Sequence, residues 1–198
     1  MNLKRSTFIK LGGITAVGTM AVIPTLLSSC GSSTGSSAAT CPGPGFDVEQ
    51  RIKDLGLVLP PAPSPGAALF KPVLVSGNML YVSGQGPVQS DGSLIIGKVG
   101  SDLTLEEGQL AARQVGLTMI SVIKEYFGDL NKICRLVKTL GMVSCAPDFY
   151  STPAVINGFS GLMAEIFGEE HGIGVRSAVG MTLPSNIAVE VEAMFELK

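Results

Sequence analysis

Apolar and polar residues alternate with two different periods along residues 46–198, and these periods separate predicted helices from predicted strands. The longest helical pattern places apolar side chains at three- and four-residue steps, with one core face and one polar face. Thr104 and Glu107 form a capping-box pattern at its start, and Gly128 ends it. A second helix is expected to end at Gly168. The predicted helices span residues 105–127 and 154–167, and residues 46–57 are predicted to form a short amphipathic turn or helix.

The predicted strands follow the two-residue period. The last one is the clearest, because apolar residues at odd positions from 189 to 195 alternate with glutamates and a methionine. This alternation is typical of a strand with one exposed face. Ser76-Gly77-Asn78 predicts a tight turn between the first two strands, which gives a hairpin. The predicted strands span residues 67–75, 79–83, 94–96, 135–143, 175–183 and 188–197.

The element order βββ-α-β-α-ββ predicts an α+β domain in which helices cover one face of a mixed sheet. The other face of a sheet rich in valine and isoleucine then needs a cover. Such a face invites assembly with further subunits.

Composition excludes several classes of function. The 198 residues are 45% apolar and 15% charged, which suffices for a buried core. The formal net charge is −2, tryptophan is absent and aromatic residues make up 6%, so we expect no nucleic acid partner. With one histidine and four cysteines, a histidine-rich metal site is not expected.

The first 29 residues have the pattern of an export signal. Three basic residues precede an apolar stretch, and Leu27-Ser28-Ser29-Cys30 resembles the bacterial lipobox, in which the chain is cut before a lipidated cysteine. We therefore expect a signal peptide at 1–29, acyl chains on Cys30 and a flexible Ser/Gly/Pro-rich tether over residues 30–45. The domain of residues 46–198 would then be an extracytoplasmic lipoprotein, anchored to the membrane on the periplasmic side. The alternatives are a plain signal peptide with a coincidental cysteine and an uncleaved anchor.

Three further cysteines leave the oxidation state open. Cys41 lies in the predicted tether, whereas Cys134 and Cys145 lie in the predicted domain. A disulfide between two of them is possible in an oxidising compartment, but spacing does not define the pairing. Two buried thiols and one exposed thiol fit the sequence equally well.

Candidate chemistry centres on Arg176, which stands among small and apolar residues of a predicted strand. One interpretation is a structural salt bridge to Glu190 or Glu192. The other is a guanidinium that binds a substrate carboxylate through two parallel hydrogen bonds. His171, in a polar stretch, is expected to be a solvated loop residue.

Several segments resemble one protein family. Arg176-Ser177-Ala178-Val179, followed by residues 189–193, is similar to the C-terminal signature of the RidA/YjgF family of imine and enamine deaminases, formerly called endoribonuclease L-PSP. Residues 75–85 resemble the first hairpin of the family with its Ser-Gly-Gln turn. Asp148-Phe149 and the helix around Asn157 resemble its second helical region. The resemblance covers about residues 66–198.

The resemblance implies a chorismate-mutase-like α+β fold, assembled as a homotrimer with three clefts between subunits. It assigns carboxylate binding to Arg176 and activation of a water to Glu190, without a metal or an organic cofactor. Further substrate contacts are implied for Ser83, Gly84 and Asn157. Two positions depart from the family pattern. They are Phe70, which replaces a cleft tyrosine, and Ala178, which replaces a cysteine.

The implied activity is hydrolytic deamination of 2-imino or 2-enamino acids to 2-keto acids and ammonia. The alternative is a trimeric protein that binds a small carboxylate or another metabolite in the same clefts without a reaction. Ribonuclease activity ranks below both, because the body is acidic and the sequence lacks a second histidine.

Overall fold

The computed structural model describes residues 40–198. The predicted signal segment 1–29, Cys30 and most of the predicted tether lie outside the described residues, so the expectations for them stay predictions. Among residues 40–198, no helix combines the length and the apolar character that a membrane span requires.

In chain order, the helices and strands of the described residues are α1 Val48–Asp54, β1 Val73–Ser76, β2 Met79–Gln85, α2 Leu105–Tyr126, β3 Ile133–Val143, α3 Thr152–Phe167, α4 Glu169–Gly172, β4 Val175–Gly180 and β5 Val189–Leu197. The strands form a mixed sheet with the order β1-β2-β5-β3-β4, in which only β3 and β4 run parallel. Helices α2 and α3 pack on one face of this sheet, which confirms the predicted α+β architecture.

Helix α2 begins as its sequence predicts. The Thr104 hydroxyl accepts a hydrogen bond from the Glu107 amide at 3.1 Å, and the Glu107 carboxylate accepts one from the Thr104 amide at 2.8 Å. Five apolar positions at three- and four-residue steps are fully buried, whereas Tyr126, at the end of the same pattern, is partly exposed and donates a hydrogen bond to the Pro63 carbonyl. The buried positions are Ala112, Val115, Met119, Val122 and Ile123.

Helix α3 lies close against the sheet because Gly141 of β3 has no side chain. A Cβ at this position would lie 2.5 Å from Cγ1 of Ile156. Any larger residue at position 141 would push α3 away from strands β3 and β4. The close packing brings the exposed side of α3 within reach of β4, the edge strand of the sheet.

The two faces of the sheet differ in burial. Val189, Val191, Ala193 and Phe195 of β5 are buried under the helices, as their alternation predicts. The opposite face, which we call the outer face, carries the glutamates of β5. It also carries large apolar side chains that are exposed in the single chain: Leu74, Tyr81, Val175 and Val179.

Cys41 and Cys134 form a disulfide, which resolves the pairing that the sequence left open. Cys134 is fully buried in β3, and the two residues lie 93 positions apart. The bond therefore fastens residue 41, within the predicted tether, to the sheet. Cys145 keeps a free thiol.

Two predicted strands are shorter than expected and a third is absent, because proline and glycine interrupt the backbone ladder. The strand predicted over 67–75 starts at Val73, directly after Pro72. The strand predicted over 94–96 is wrong, since Leu94 and Ile96 form isolated bridges only, between glycines 92 and 97 with positive φ. The strand predicted over 175–183 ends at Gly180, ahead of a 3₁₀ turn that begins at Pro184.

The expectation for His171 is also wrong. It lies in the short helix α4 and is half-buried, not in a solvated loop. Its Nδ1 atom is buried and has no hydrogen-bond partner among residues 40–198.

Loss of the disulfide should destabilise the domain. We expect Cys41→Ala to lower the free energy of unfolding by about 2–4 kcal/mol, because the bond constrains a long loop of the unfolded chain. Urea unfolding under non-reducing conditions measures this change. Cys145→Ala is the matched control, since it removes a thiol without opening a loop. Equal midpoints for Cys41→Ala and the parent protein would contradict the prediction.

Candidate functional site

Arg176 points from β4 toward helix α3. Its Nη2 donates hydrogen bonds to Oδ1 of Asn157 at 2.7 Å and to the carbonyl of Pro153 at 3.1 Å. Its Nη1 donates to the Ser160 hydroxyl at 2.9 Å. The three partners lie on one side of α3, at positions i, i+4 and i+7. We refer to Pro153, Asn157 and Ser160 as the arginine cradle.

The salt bridge from Arg176 to Glu190 or Glu192 is not formed. Arg176 pairs with Thr139 of β3, whereas Glu190 pairs with Met142, three residues farther along the same strand. Successive side chains of a strand point to opposite faces, so an odd separation places Arg176 and Glu190 on different faces of the sheet. Glu192 shares the outer face with Glu190.

The positive charge of Arg176 is therefore not neutralised by its cradle. All three acceptors are uncharged, and the ion pairs found within residues 40–198 do not include Arg176. A guanidinium carries five N–H donors, so about two remain for a further partner. The side chain is exposed but held in one direction, which suits the binding of a carboxylate.

Sequence reasoning named Asn157 and missed Ser160 and the Pro153 carbonyl. The signal for Ser160 was its spacing, because residues 157 and 160 of a helix lie on the same side. The role of the Pro153 carbonyl depends on the distance between α3 and β4, which no local pattern contains.

Glu190 lies on the outer face against Gly84 of β2. The carboxylate contacts the Cα side of Gly84 so closely that a Cβ there would overlap its Oε1 atom. Burial raises the pKa of Glu190 above its ordinary value, and the negative charge of Glu192 raises it further. Gly84 is thus required for the position of this carboxylate.

Gly84 and Phe70 line a common depression, which we call the edge hollow. It has a volume of about 230 Å³, and prolines 63, 65 and 72 form much of its wall. The Phe70 ring is 52% exposed. Glu190 does not line the hollow itself, but its carboxylate contacts Gly84, which does.

Ser83 and Ala178 belong to other depressions. The Ser83 hydroxyl donates to the Lys71 carbonyl at 2.7 Å and borders a hollow of about 400 Å³ on the outer face. Ala178 borders a hollow of about 530 Å³ beside Cys145, and its carbonyl accepts a hydrogen bond from Thr152. The single chain therefore does not gather all predicted site residues around one cavity.

The predicted residues instead form two groups. Arg176, Asn157 and Ala178 lie on the α3 side of edge strand β4. Glu190, Gly84 and Phe70 lie together at the end of β2. In the single chain, Arg176 and Glu190, and with them the two groups, lie on different faces of the sheet.

Comparison with known proteins identifies the family. Residues 49–193 match the family described as "YjgF/chorismate mutase-like, putative endoribonuclease". The chain belongs to the YjgF/RidA family. Its mixed sheet and helices have the fold expected of that family.

Two solved structures of the YjgF/RidA fold are similar over 76% of this chain. The protein Atu1372 from Agrobacterium tumefaciens, described as of unknown function, shares 40% identity with a TM-score of 0.68 over 94% of its length. A "putative endoribonuclease" from Shewanella oneidensis shares 30% identity with a TM-score of 0.71 over 99% of its length.

A curated relative is Protein TCP17 from Trypanosoma cruzi, which is 40% identical over 151 residues. The aligned region covers 76% of this chain and 94% of the relative. These likenesses establish the family and its fold. The Shewanella oneidensis protein is described as a putative endoribonuclease, whereas the descriptions of Atu1372 and TCP17 name no reaction.

The burial of Glu190 has a measurable consequence for stability. A raised pKa means that the folded protein binds this proton more tightly than the unfolded chain, so the charged carboxylate costs stability above the folded pKa. We expect Glu190→Gln to stabilise the protein at pH 8 by less than about 1 kcal/mol, since solvent screens a half-exposed group. At pH 4 the gain should shrink, because the carboxyl is then largely protonated in both states.

Urea unfolding at the two pH values provides the measurement. Glu125→Gln is the matched control, because Glu125 is an exposed carboxylate on α2. A gain for Glu190→Gln that is the same at pH 4 and pH 8 would rule out the linkage to its ionisation.

Proposed function

We propose that this protein hydrolyses reactive 2-imino and 2-enamino acids to 2-keto acids and ammonia. The observation that carries the proposal is the exposed guanidinium of Arg176, held by uncharged acceptors and still able to bind an anion. A fixed cation with unused donors favours a ligand that carries a carboxylate. Membership of the YjgF/RidA family supports the same activity.

The reaction needs orientation and proton transfer, without an oxidant or a reductant. The oxygen of a water forms a bond to the C=N carbon, and the π electron pair moves to nitrogen. Proton transfer to nitrogen and loss of the hydroxyl proton then allow the C–N bond to break as the C=O bond forms, which releases ammonia and leaves the 2-keto acid. Binding of the carboxylate by Arg176 would hold the electrophilic carbon in place, and such orientation can contribute several kcal/mol.

Glu190 would act as the general base and then the general acid. Burial moves the pKa of Glu190 upward, toward neutral pH. This suits a group that accepts a proton from water and then donates it to nitrogen. Gly84 supports this role by leaving space for the carboxylate. Phe70 borders the same position but has no hydroxyl with which to hold water.

We further propose that the site lies between subunits of a homotrimer. The two groups of candidate residues occupy different faces of the sheet in one chain, and the outer face carries exposed apolar side chains. Association through this face would bury those side chains and place Arg176 of one copy opposite Glu190 of the next. A neighbouring copy would thus complete each cleft.

Turnover and its dependence on Arg176 test the proposed reaction. Imino acids are generated by an amino acid oxidase, and semicarbazide traps whatever the protein does not clear. We expect faster clearance with the parent protein and a loss of about 100-fold in kcat/KM for Arg176→Ala, because a charge-assisted pair of hydrogen bonds disappears. Arg113→Ala is the matched control, since Arg113 forms a structural ion pair with Glu165.

Equal clearance by Arg176→Ala and Arg113→Ala would overturn the role of Arg176. A folded protein that accelerates no imine but binds 2-keto acids would support the alternative, a protein that binds small carboxylates without a reaction.

Complementation tests the position of the site between subunits. Chains with Arg176→Ala and chains with Glu190→Gln are coexpressed in equal amounts. If Arg176 and Glu190 come from different copies, random mixing leaves about a quarter of the sites with both residues intact. Activity in the mixture, with none in either variant alone, is expected. A mixture that stays inactive would place both residues in the same chain.

We also propose that the protein is an extracytoplasmic lipoprotein, anchored through acyl chains on Cys30. The lipobox-like sequence before Cys30 suggests this location, and the disulfide of Cys41 with Cys134 is compatible with an oxidising compartment.

Metabolic labelling tests the anchor. The full chain is expressed in a bacterial host with a labelled fatty acid, and we expect label in the membrane fraction that disappears in Cys30→Ala. Cys145→Ala should keep the label. Equal labelling of the Cys30→Ala protein and the parent would contradict lipidation at this residue.

A further inference from the structure

The edge hollow is an uncharged cavity beside a candidate catalytic carboxylate. Its lining contains prolines, glycines, small polar residues and apolar side chains, among them Phe70, Val88, Leu94 and Ile187, and no charged residue. Three other hollows of the described chain differ, because charged side chains line each of them. The edge hollow therefore offers apolar contact to a substrate side chain, but no charged residue that could pair with a charge on that side chain.

Hydrogen bonds from helix α2 hold the proline-rich wall of the hollow in place. The proline-rich stretch of residues 60–65 runs along α2, where the Ser121 hydroxyl donates to the Pro60 carbonyl at 2.7 Å. The Tyr126 hydroxyl donates to the Pro63 carbonyl at 3.3 Å. Proline restricts the backbone, and these two bonds hold the stretch against the helix. The cavity is thus a formed feature of the fold.

The hollow and the Glu190 carboxylate share Gly84 as a common neighbour. Gly84 lines the hollow, and the same residue is in contact with the Glu190 Oε1 atom. An imino carbon attacked by a water near Glu190 would therefore lie at the mouth of the hollow. The side chain attached to that carbon would then lie next to the hollow and could enter it.

We propose that the edge hollow binds the substrate side chain and selects 2-imino acids with uncharged apolar side chains larger than methyl. This inference rests on the proposed function and specifies its substrate class. Residues 63–65, Phe70 and Leu94 are then specificity-determining elements, whereas Arg176 binds the carboxylate shared by all such substrates.

Size and charge both favour this class. A volume of about 230 Å³ is several times the roughly 30 Å³ that one water occupies in the liquid, so a single methyl group leaves most of the space to water. Each additional methylene that enters the hollow should raise kcat/KM roughly fourfold. A charged side chain would lose its hydration without finding an opposite charge.

A panel of substrates tests the inference. Imino acids are generated from alanine, leucine, phenylalanine and glutamate by suitable oxidases, and clearance is measured in competition with semicarbazide. We expect kcat/KM for the leucine-derived imine to exceed that for the alanine-derived imine by at least about tenfold. The glutamate-derived imine should be the poorest substrate. Equal rates for the alanine- and leucine-derived imines would overturn the inference.

A charge introduced at the hollow should change the preference. Leu94 lines the hollow and is 39% exposed, so Leu94→Arg places a cation at its wall without burying it completely. We expect this variant to gain at least about tenfold in preference for the glutamate-derived imine over the leucine-derived one. Leu110→Arg is the matched control, because Leu110 is 63% exposed on α2 and does not line the hollow. Identical preferences in the two variants would contradict the assignment.

Binding separates this inference from the proposed reaction. Calorimetry with pyruvate, 4-methyl-2-oxopentanoate and 2-oxoglutarate measures affinity without turnover. If no imine is cleared but 4-methyl-2-oxopentanoate binds tightest and Leu94→Arg reverses this order, the proposed deamination fails and the hollow still selects the side chain. If imines are cleared but neither turnover nor binding depends on the side chain, the hollow is not the subsite and the deamination stands.

Discussion

The alternation of side chains across a single sheet determines where chemistry can occur in this protein. Helices α2 and α3 cover one face, so every second residue of β4 and β5 points into or beside the helical layer, and the intervening residues point outward. Arg176 and Glu190 fall on different sides of this division, since their partners on β3 are three residues apart. The two charges therefore cannot neutralise each other within one chain. The separation keeps the arginine available to an anion and the carboxylate available to a proton.

The arginine cradle orients the positive charge of Arg176 without neutralising it. A carboxylate partner would fix Arg176 firmly but would also compete with any anionic ligand. The side chains of Asn157 and Ser160 and the carbonyl of Pro153 instead orient the guanidinium through dipoles. Arg113 provides the contrast within the same fold, because both of its bonds go to the carboxylate of Glu165. One arginine serves the packing of two helices, and the other keeps its charge.

Strong local patterns made most of the elements predictable. The capping box at Thr104, the helical period up to Tyr126 and the alternation in β5 each depend on neighbours in sequence, and these elements form close to where the pattern places them. Strand ends at Pro72 and Gly180 were less predictable, because the loss of a ladder bond depends on the neighbouring strand. The placement of Arg176 and Glu190 on different faces, the Cys41–Cys134 pairing and the contact of Glu190 with Gly84 arise between distant segments. Sequence could name these residues, but their spatial relation required the fold.

The disulfide also determines where a pulling force on the N-terminal segment would enter the folded domain. Tension applied to the chain ahead of Cys41 passes through the sulfur bridge to Cys134 and enters the fold in β3, the strand between β5 and β4. Helix α1 and the proline-rich stretch lie beyond the bridge and carry none of this force. A pull from the N-terminal side would thus be resisted by the hydrogen-bonded interior of the sheet, and the walls of the edge hollow would keep their shape under it.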